Sequence, residues 1–218
     1  MLFSSFYITV LLTVICSDVL VQSLSSTDEY RDADLQQTGY LTNHNMDPGI
    51  IDSSSFGQLW KVAFNYQEQF YAKPLTYTPL TGGPQLVFLA SNQNYIRTLN
   101  AETGVLINLR QVHTPFLQSD IGCTGTPTID PATDIVYFFS KTYIPNYRAP
   151  GNTGTANGVY YFHAVNISTL LDVDSYPILI DGAIADNAPE KYFIGGVILQ
   201  RPSLTQIGSV VYGSFGGH

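Results

Sequence analysis

The stretch Thr98-Leu-Asn-Ala-Glu-Thr-Gly104 returns as Ala164-Val-Asn-Ile-Ser-Thr-Leu170, with Asn100 aligned on Asn166 and Thr103 on Thr169. Each copy follows an aromatic-rich, strand-like run, Val87-Phe-Leu-Ala90 and Val136-Tyr-Phe-Phe139. A unit that recurs in a chain of short strands and turns marks sheets stacked one on the next, as in the blades of a β-propeller. Working outward, the first unit reads as strands at Leu59–Phe64, Leu75–Thr78, Gln85–Ala90, Tyr95–Leu99 and Val105–Leu109. The second enters at Thr126-Pro-Thr-Ile129, turns at Asp130–Asp134, and continues through Ile135–Phe139 and Val159–Val165.

Between those last two strands, Pro145 to Gly158 is rich in Pro, Gly and Asn, which is loop chemistry and accounts for the long spacing between the two motif copies. A third unit opens at Arg201-Pro-Ser-Leu204 and repeats the Val-Tyr run at Val210-Val-Tyr212. The predicted fold class is therefore all-β: a partial propeller of about two and a half four-stranded blades in an open arc. Its blades are placed at roughly 56–112, 120–182 and 195–218, the last incomplete. Rings of this kind close with typically 4 to 8 blades, so blades beyond these, or other chains, are needed to complete one. His218 falls directly after a strand, which favours a fragment of a longer chain over an assembly.

Composition agrees with strands and turns. The chain is 44% hydrophobic and only 12% charged, enough for a buried core and unlike a disordered segment. Its 15 Tyr, 18 Gly and 12 Pro favour strands and tight turns over helices. A net charge of −8 repels phosphate backbones, so nucleic acid is not an expected partner. Residues 1–23 read as a signal peptide: Phe6 to Cys16 is apolar, and Val21-Gln-Ser23 suits cleavage after Ser23. That run is too short to span a bilayer, so the expected product is secreted, with no membrane association after signal removal. Residues 24–55 form a polar, turn-rich lead-in. With Cys16 removed, Cys123 is the one remaining thiol, open to a bridge outside this sequence or to burial as a small apolar residue.

Several segments together resemble the secreted quinoprotein-type β-propellers with PQQ-like repeats. They are Gly122–Tyr137, His163–Asn166, Gln200–Leu204 with Val210–His218, Phe56–Trp60 and Tyr71–Leu75. In that family a blade-docking motif places Ala, Asp, Thr, Gly and Trp where this chain has Thr98, Asn100, Thr103, Gly104 and Asn108. The resemblance therefore implies the turn and the fold. It implies no catalytic residue and no cofactor here, because the adjacent cysteine pair and the stacking Trp of the quinone enzymes have no counterpart.

Candidate sites follow the same restraint. His163, on a Tyr-Tyr-Phe strand, is read first as a hydrogen-bonded structural histidine and Arg201, opening the third unit, first as a tie between neighbouring blades; the two are also the candidate ligand-binding residues, and Asn166-Ile-Ser168 is an acceptor for glycosylation at Asn166. His44, His113, His163 and His218 have no zinc-ligand spacing, and Asp120, Asp130 and Asp134 do not form a calcium loop, so no metal site is expected. The expected function is a secreted interaction or ligand-binding module for a small molecule, glycan or protein. The alternatives are a quinone-dependent oxidoreductase relative whose site lies in missing blades, and a carbohydrate-binding protein.

Overall fold

The computed structural model describes residues 24–25, 27–36, 38, 47–65, 67–116, 121–151 and 155–217. The signal-peptide segment, Cys16, His44, Asp120 and His218 lie outside the described residues. The described chain is all-β, with one four-residue helix at Pro48–Ile51 and a 3-10 turn at Gly195–Val197.

Two four-stranded antiparallel sheets dominate. The first runs in chain order through β1 (Leu75–Tyr77), β2 (Leu86–Ala90), β3 (Tyr95–Asn100) and β4 (Leu106–Gln111). The second repeats that order with β5 (Thr128–Asp130), β6 (Ile135–Tyr143), β7 (Gly158–Asn166) and β8 (Ile178–Leu179). The correspondence extends to register. Leu86 sits opposite Asn100 as Ile135 sits opposite Asn166. Just beyond those pairs, Ala101 N–H donates to the Gln85 carbonyl at 2.8 Å, as Ile167 N–H donates to Asp134 at 2.9 Å.

The quoted motif forms the same turn twice. Asn100 Oδ1 accepts the N–H groups of Glu102 and Thr103, both at 2.9 Å, and Asn166 Oδ1 accepts those of Ser168 at 3.0 Å and Thr169 at 3.2 Å. A short side-chain amide that mimics a backbone acceptor is what makes Asn a turn residue. The turn then closes through a left-handed residue, Gly104 at φ +71° and Leu170 at φ +57°.

The sheets stack face to face. Leu86, Phe88, Ala90 and Ile96 of the first sheet share one core with Ile129, Val136, Phe138 and Val165 of the second. Strand alternation sends Tyr137, Phe139, Tyr160 and Phe162 to the opposite side of the second sheet. There they pack with Phe193, Leu204, Val211 and Phe215. This third region consists of three two-stranded ribbons: β9 (Ile184–Ala185) with β10 (Ala188–Tyr192), β12 (Thr205–Ile207) with β13 (Val210–Tyr212), and β11 (Ile198–Leu199) with β14 (Gly216–Gly217).

Four strand expectations need correction. Leu59–Phe64 forms no ladder; it crosses the outer face of the first sheet, where the Trp60 indole N–H donates to the Ala101 carbonyl at 2.8 Å. Arg97 on that face pairs with Glu68 and lies over the Phe64 ring at 4.8 Å. The fourth strand begins at Leu106, because the Val105 carbonyl is used to close the turn with Asn100 N–H at 2.9 Å. Strand β6 runs on past Phe139 through Ser140, Lys141 and Thr142, all buried, so polar residues hid the strand's second half. The hairpin β9–β10 falls between the expected second and third blades.

The lead-in is tied down across all three units. Glu29 and Thr76 exchange backbone hydrogen bonds at 2.8 and 3.1 Å, the Tyr30 carbonyl accepts Ile129 N–H at 2.8 Å, and Asp32 accepts the Ser203 hydroxyl. Lys73 adds a 2.7 Å ion pair to Glu29.

Candidate functional site

Among the described residues, a linked set of polar and titratable side chains lies at the joint between the two four-stranded sheets. His163 projects from β7 toward the first sheet, with its ring stacked on Phe138 at 4.7 Å and no exposed surface. Its Nδ1 donates to Asp172 Oδ1 at 2.9 Å. That tautomer leaves Nε2 as the acceptor for the Ser140 hydroxyl, also at 2.9 Å. The hydroxyl oxygen in turn accepts from His113 Nδ1 at 3.1 Å. Arg110, on β4, binds the other oxygen of Asp172 and donates to the Leu170 carbonyl at 2.8 Å. Each group therefore has its partner, which is the condition for a buried polar network to be favourable.

The electrostatics follow from burial. Desolvation pushes His163 down, against the pull of Asp172, and pushes His113 down to about 4 with help from His163. Burial would raise Asp172, but the bonds from His163 and Arg110 outweigh it and hold the carboxyl below its usual value. Both imidazoles are thus neutral at pH 7 and the carboxylate is charged.

Asp172, His163 and Ser140 stand in the order of a nucleophilic triad, carboxylate to Nδ1 and Nε2 to hydroxyl. Access decides what they can do. Ser140 is 0% exposed, and its oxygen is already occupied by His113, whose ring stacks on Tyr161 at 4.5 Å. An acyl carbon has no approach to that oxygen, so the cluster works as a polar clasp between sheets. Two further bonds extend the clasp: Asn108 Nδ2 donates to the Ser168 carbonyl at 2.9 Å and the Thr142 hydroxyl to the Thr114 carbonyl at 2.6 Å.

The other expected site residues lie elsewhere. Arg201 is exposed, with its guanidinium over the Tyr71 ring at 5.1 Å, linking the third region to the segment before β1. Asn166 is half-buried and its carbonyl oxygen caps its turn, with Ser168 exposed beside it. Asp130 caps the β5–β6 turn through Ala132 N–H at 3.0 Å, and Asp134 accepts the Tyr77 hydroxyl at 2.8 Å and Leu80 N–H at 2.9 Å. Among the described residues, no three His, Cys, Asp or Glu side chains gather to hold a metal. Cys123 is buried and unbridged in the shared core, where burial raises its thiol.

Sequence reasoning passed over Ser140, Asp172, Arg110 and Lys141. Lys141 is buried with its Nζ donating to the Ile198 carbonyl at 2.8 Å and lying 4.5 Å over the Phe116 ring. Burial lowers it to about 8. It fastens the second sheet to β11. The available signal was one of position: three polar residues, Ser140-Lys-Thr142, that continue an aromatic strand without a turn residue.

No family profile matches the chain, and no curated protein or solved structure matches it either. No helix among the described residues is long and apolar enough to cross a membrane.

Proposed function

We propose that this chain is part of a secreted, quinoprotein-like β-propeller that serves as a non-catalytic scaffold for binding a protein, glycan or small molecule. The observation that carries the reading is the doubled sheet. The same four-strand meander, with the same Asn-capped turn closing through a left-handed residue, occurs twice and packs face to face. Three X-Pro steps, Lys73-Pro74, Thr126-Pro127 and Arg201-Pro202, open the successive units. Two of them touch, through Lys73 N–H to Thr126 Oγ1 at 3.0 Å. Leu204 N–H, just beyond the third, donates to the Thr126 carbonyl at 2.9 Å. Units that share one edge in this way support a radial arrangement, with further sheets or chains covering the apolar surfaces that remain.

A non-catalytic role is favoured because the triad-like cluster found among the described residues is sealed, and sites, not folds, define activity. Export is tested by N-terminal sequencing of protein recovered from the medium; a start at Leu24 supports the reading, and an intact Met1 inside cells opposes it. Activity is tested on the same protein with a fluorophosphonate probe for Ser140 and with quinone plus calcium in a dye-reduction assay. The expected result is silence in both. Ser140 labelling would establish a hydrolase, and dye reduction with a bound-quinone spectrum would establish the oxidoreductase alternative. Retention on a glycan array without redox activity would select a carbohydrate as the ligand.

A further inference from the structure

We infer that the apolar cleft between the β9–β10 hairpin and β11 binds one long-chain carboxylate, taken up as a free monomer, with its alkyl chain in the cleft and its head group on Lys191. Such a site goes beyond the scaffold reading, because the cleft is walled by described residues outside both four-stranded sheets and needs no ring around it.

Local chemistry builds the cleft. After the turn that sets Ala188 opposite Ala185, the ladder skips to Tyr192 opposite Ile184, so residues 189–191 bulge out of β10. Pro189 has no N–H to give the ladder there. In a regular strand Lys191 and Tyr192 would point to opposite faces; the bulge brings both to the cleft. The base of the hairpin is fixed, with Gly182 N–H donating to the Phe193 carbonyl and Phe193 N–H to the Ala183 carbonyl, both at 2.8 Å. The opposite wall, Val197 and Ile198, is held through Gly195, where an added Cβ would lie 2.7 Å from Val159 of β7. Phe193 and Phe215 form the floor, packed edge to face with 4.9 Å between ring centroids.

Size, surface and charge specify the occupant. The cleft encloses about 680 Å³, within the range of about 300–1,000 Å³ typical of small-ligand sites, and Lys191 is its one charged lining residue. Ile184, Tyr192 and Val197 are 66%, 59% and 44% exposed, so apolar surface remains for a ligand to cover. Lys73, Arg97, Arg110 and Arg148 each have a carboxylate partner, whereas Lys191 has none among the described residues. A single ammonium beside apolar walls matches an amphiphile with one negative charge. The net charge of −8 weighs against dianionic head groups and anionic bilayers, which selects a free carboxylate.

The test titrates octanoate, decanoate and dodecanoate, below their micelle concentrations, into the full chain by calorimetry, with methyl NMR to locate the ligand. The expected result is one saturable site, affinity rising about two- to fourfold per methylene, and shifts centred on Ile184, Val197 and Ile198. Lys191→Gln, at an exposed position, should weaken dodecanoate roughly three- to tenfold and leave dodecan-1-ol binding unchanged. Absence of saturable binding would overturn the inference, as would equal affinity of dodecanoate for the two proteins, an equal loss for dodecan-1-ol, or tighter binding of dodecyltrimethylammonium. So would shifts centred outside the cleft, binding to anionic vesicles without binding of the monomer, or self-association through Ile184 and Tyr192 that dodecanoate does not reverse.

Discussion

The two four-stranded sheets share strand order, register and turn, yet they use the left-handed position of that turn in opposite ways. In the first sheet it is Gly104, buried against the indole of Trp60, where an added Cβ would lie 2.7 Å from the ring. In the second it is Leu170, 1% exposed, whose side chain fills the core between the sheets despite a φ that costs an L-residue roughly 1–2 kcal/mol. The backbone of the turn is what the repeat preserves. Its side chain is free to change when the neighbouring surface changes from an indole to the facing sheet.

The largest test of this comparison lies in the shared core. Phe88 and Phe138 face each other across the sheets at 6.3 Å between ring centroids. Replacing either by Ala is expected to cost about 3–5 kcal/mol in denaturant unfolding, and the double variant less than the sum, because the two deletions open one cavity. Strict additivity would mean that the faces do not share a core.

Next come the two left-handed positions. Gly104→Ala is expected to cost about 2–3 kcal/mol, from strain at positive φ and overlap with Trp60. Leu170→Gly relaxes the backbone but empties the core, for a net loss of about 2–3 kcal/mol. The pair is sharpened by Trp60→Ala, which should make Gly104→Ala cheaper and leave Leu170→Gly unchanged.

A smaller effect is read from pH. The His113 pKa falls from an unfolded value of about 6.5 to about 4 in the fold, so the unfolded chain takes up the proton first. Stability is therefore complete above pH 6.5 and declines as pH falls toward 4, by about 1–2 kcal/mol after screening of the half-buried ring. His163 shifts in the same direction, and the lowered carboxyl of Asp172 extends the loss below pH 4. His113→Phe should flatten the upper part of that decline, which thermal unfolding across pH 7 to 4 would record.

The smallest expected difference is between the caps. Asn100→Ala and Asn166→Ala each remove two backbone-to-side-chain bonds at exposed turns, for about 1 kcal/mol apiece. Unequal losses would show that the turns are not equivalent in energy.

What the sequence disclosed was local. The Asn-x-x-Thr turn and the aromatic strands beside it were legible because both are set by residues within a few positions of one another. Strand β6 was read only to Phe139, since buried Ser140, Lys141 and Thr142 look like the start of a loop until Phe116, His163 and Ile198 are beside them. His163 was legible as a hydrogen-bonded structural residue, with ligand contact as the second reading, but its partners Asp172 and Ser140 were not. Arg110, which holds Asp172 from the first sheet, lies 62 residues before it, and no local pattern joins the two. Leu59–Phe64 was misread because Trp60 and Phe64 supply apolar alternation to a segment that packs through its side chains and pairs with no strand.

The claim on which all of this depends is that the two sheets lie face to face around one core. Nuclear Overhauser contacts between the ring protons of Phe88 and Phe138 in the labelled, full-length protein test it most directly. The account predicts cross-peaks between the two rings. Their absence, with both rings broadened by a soluble paramagnetic agent, would contradict it.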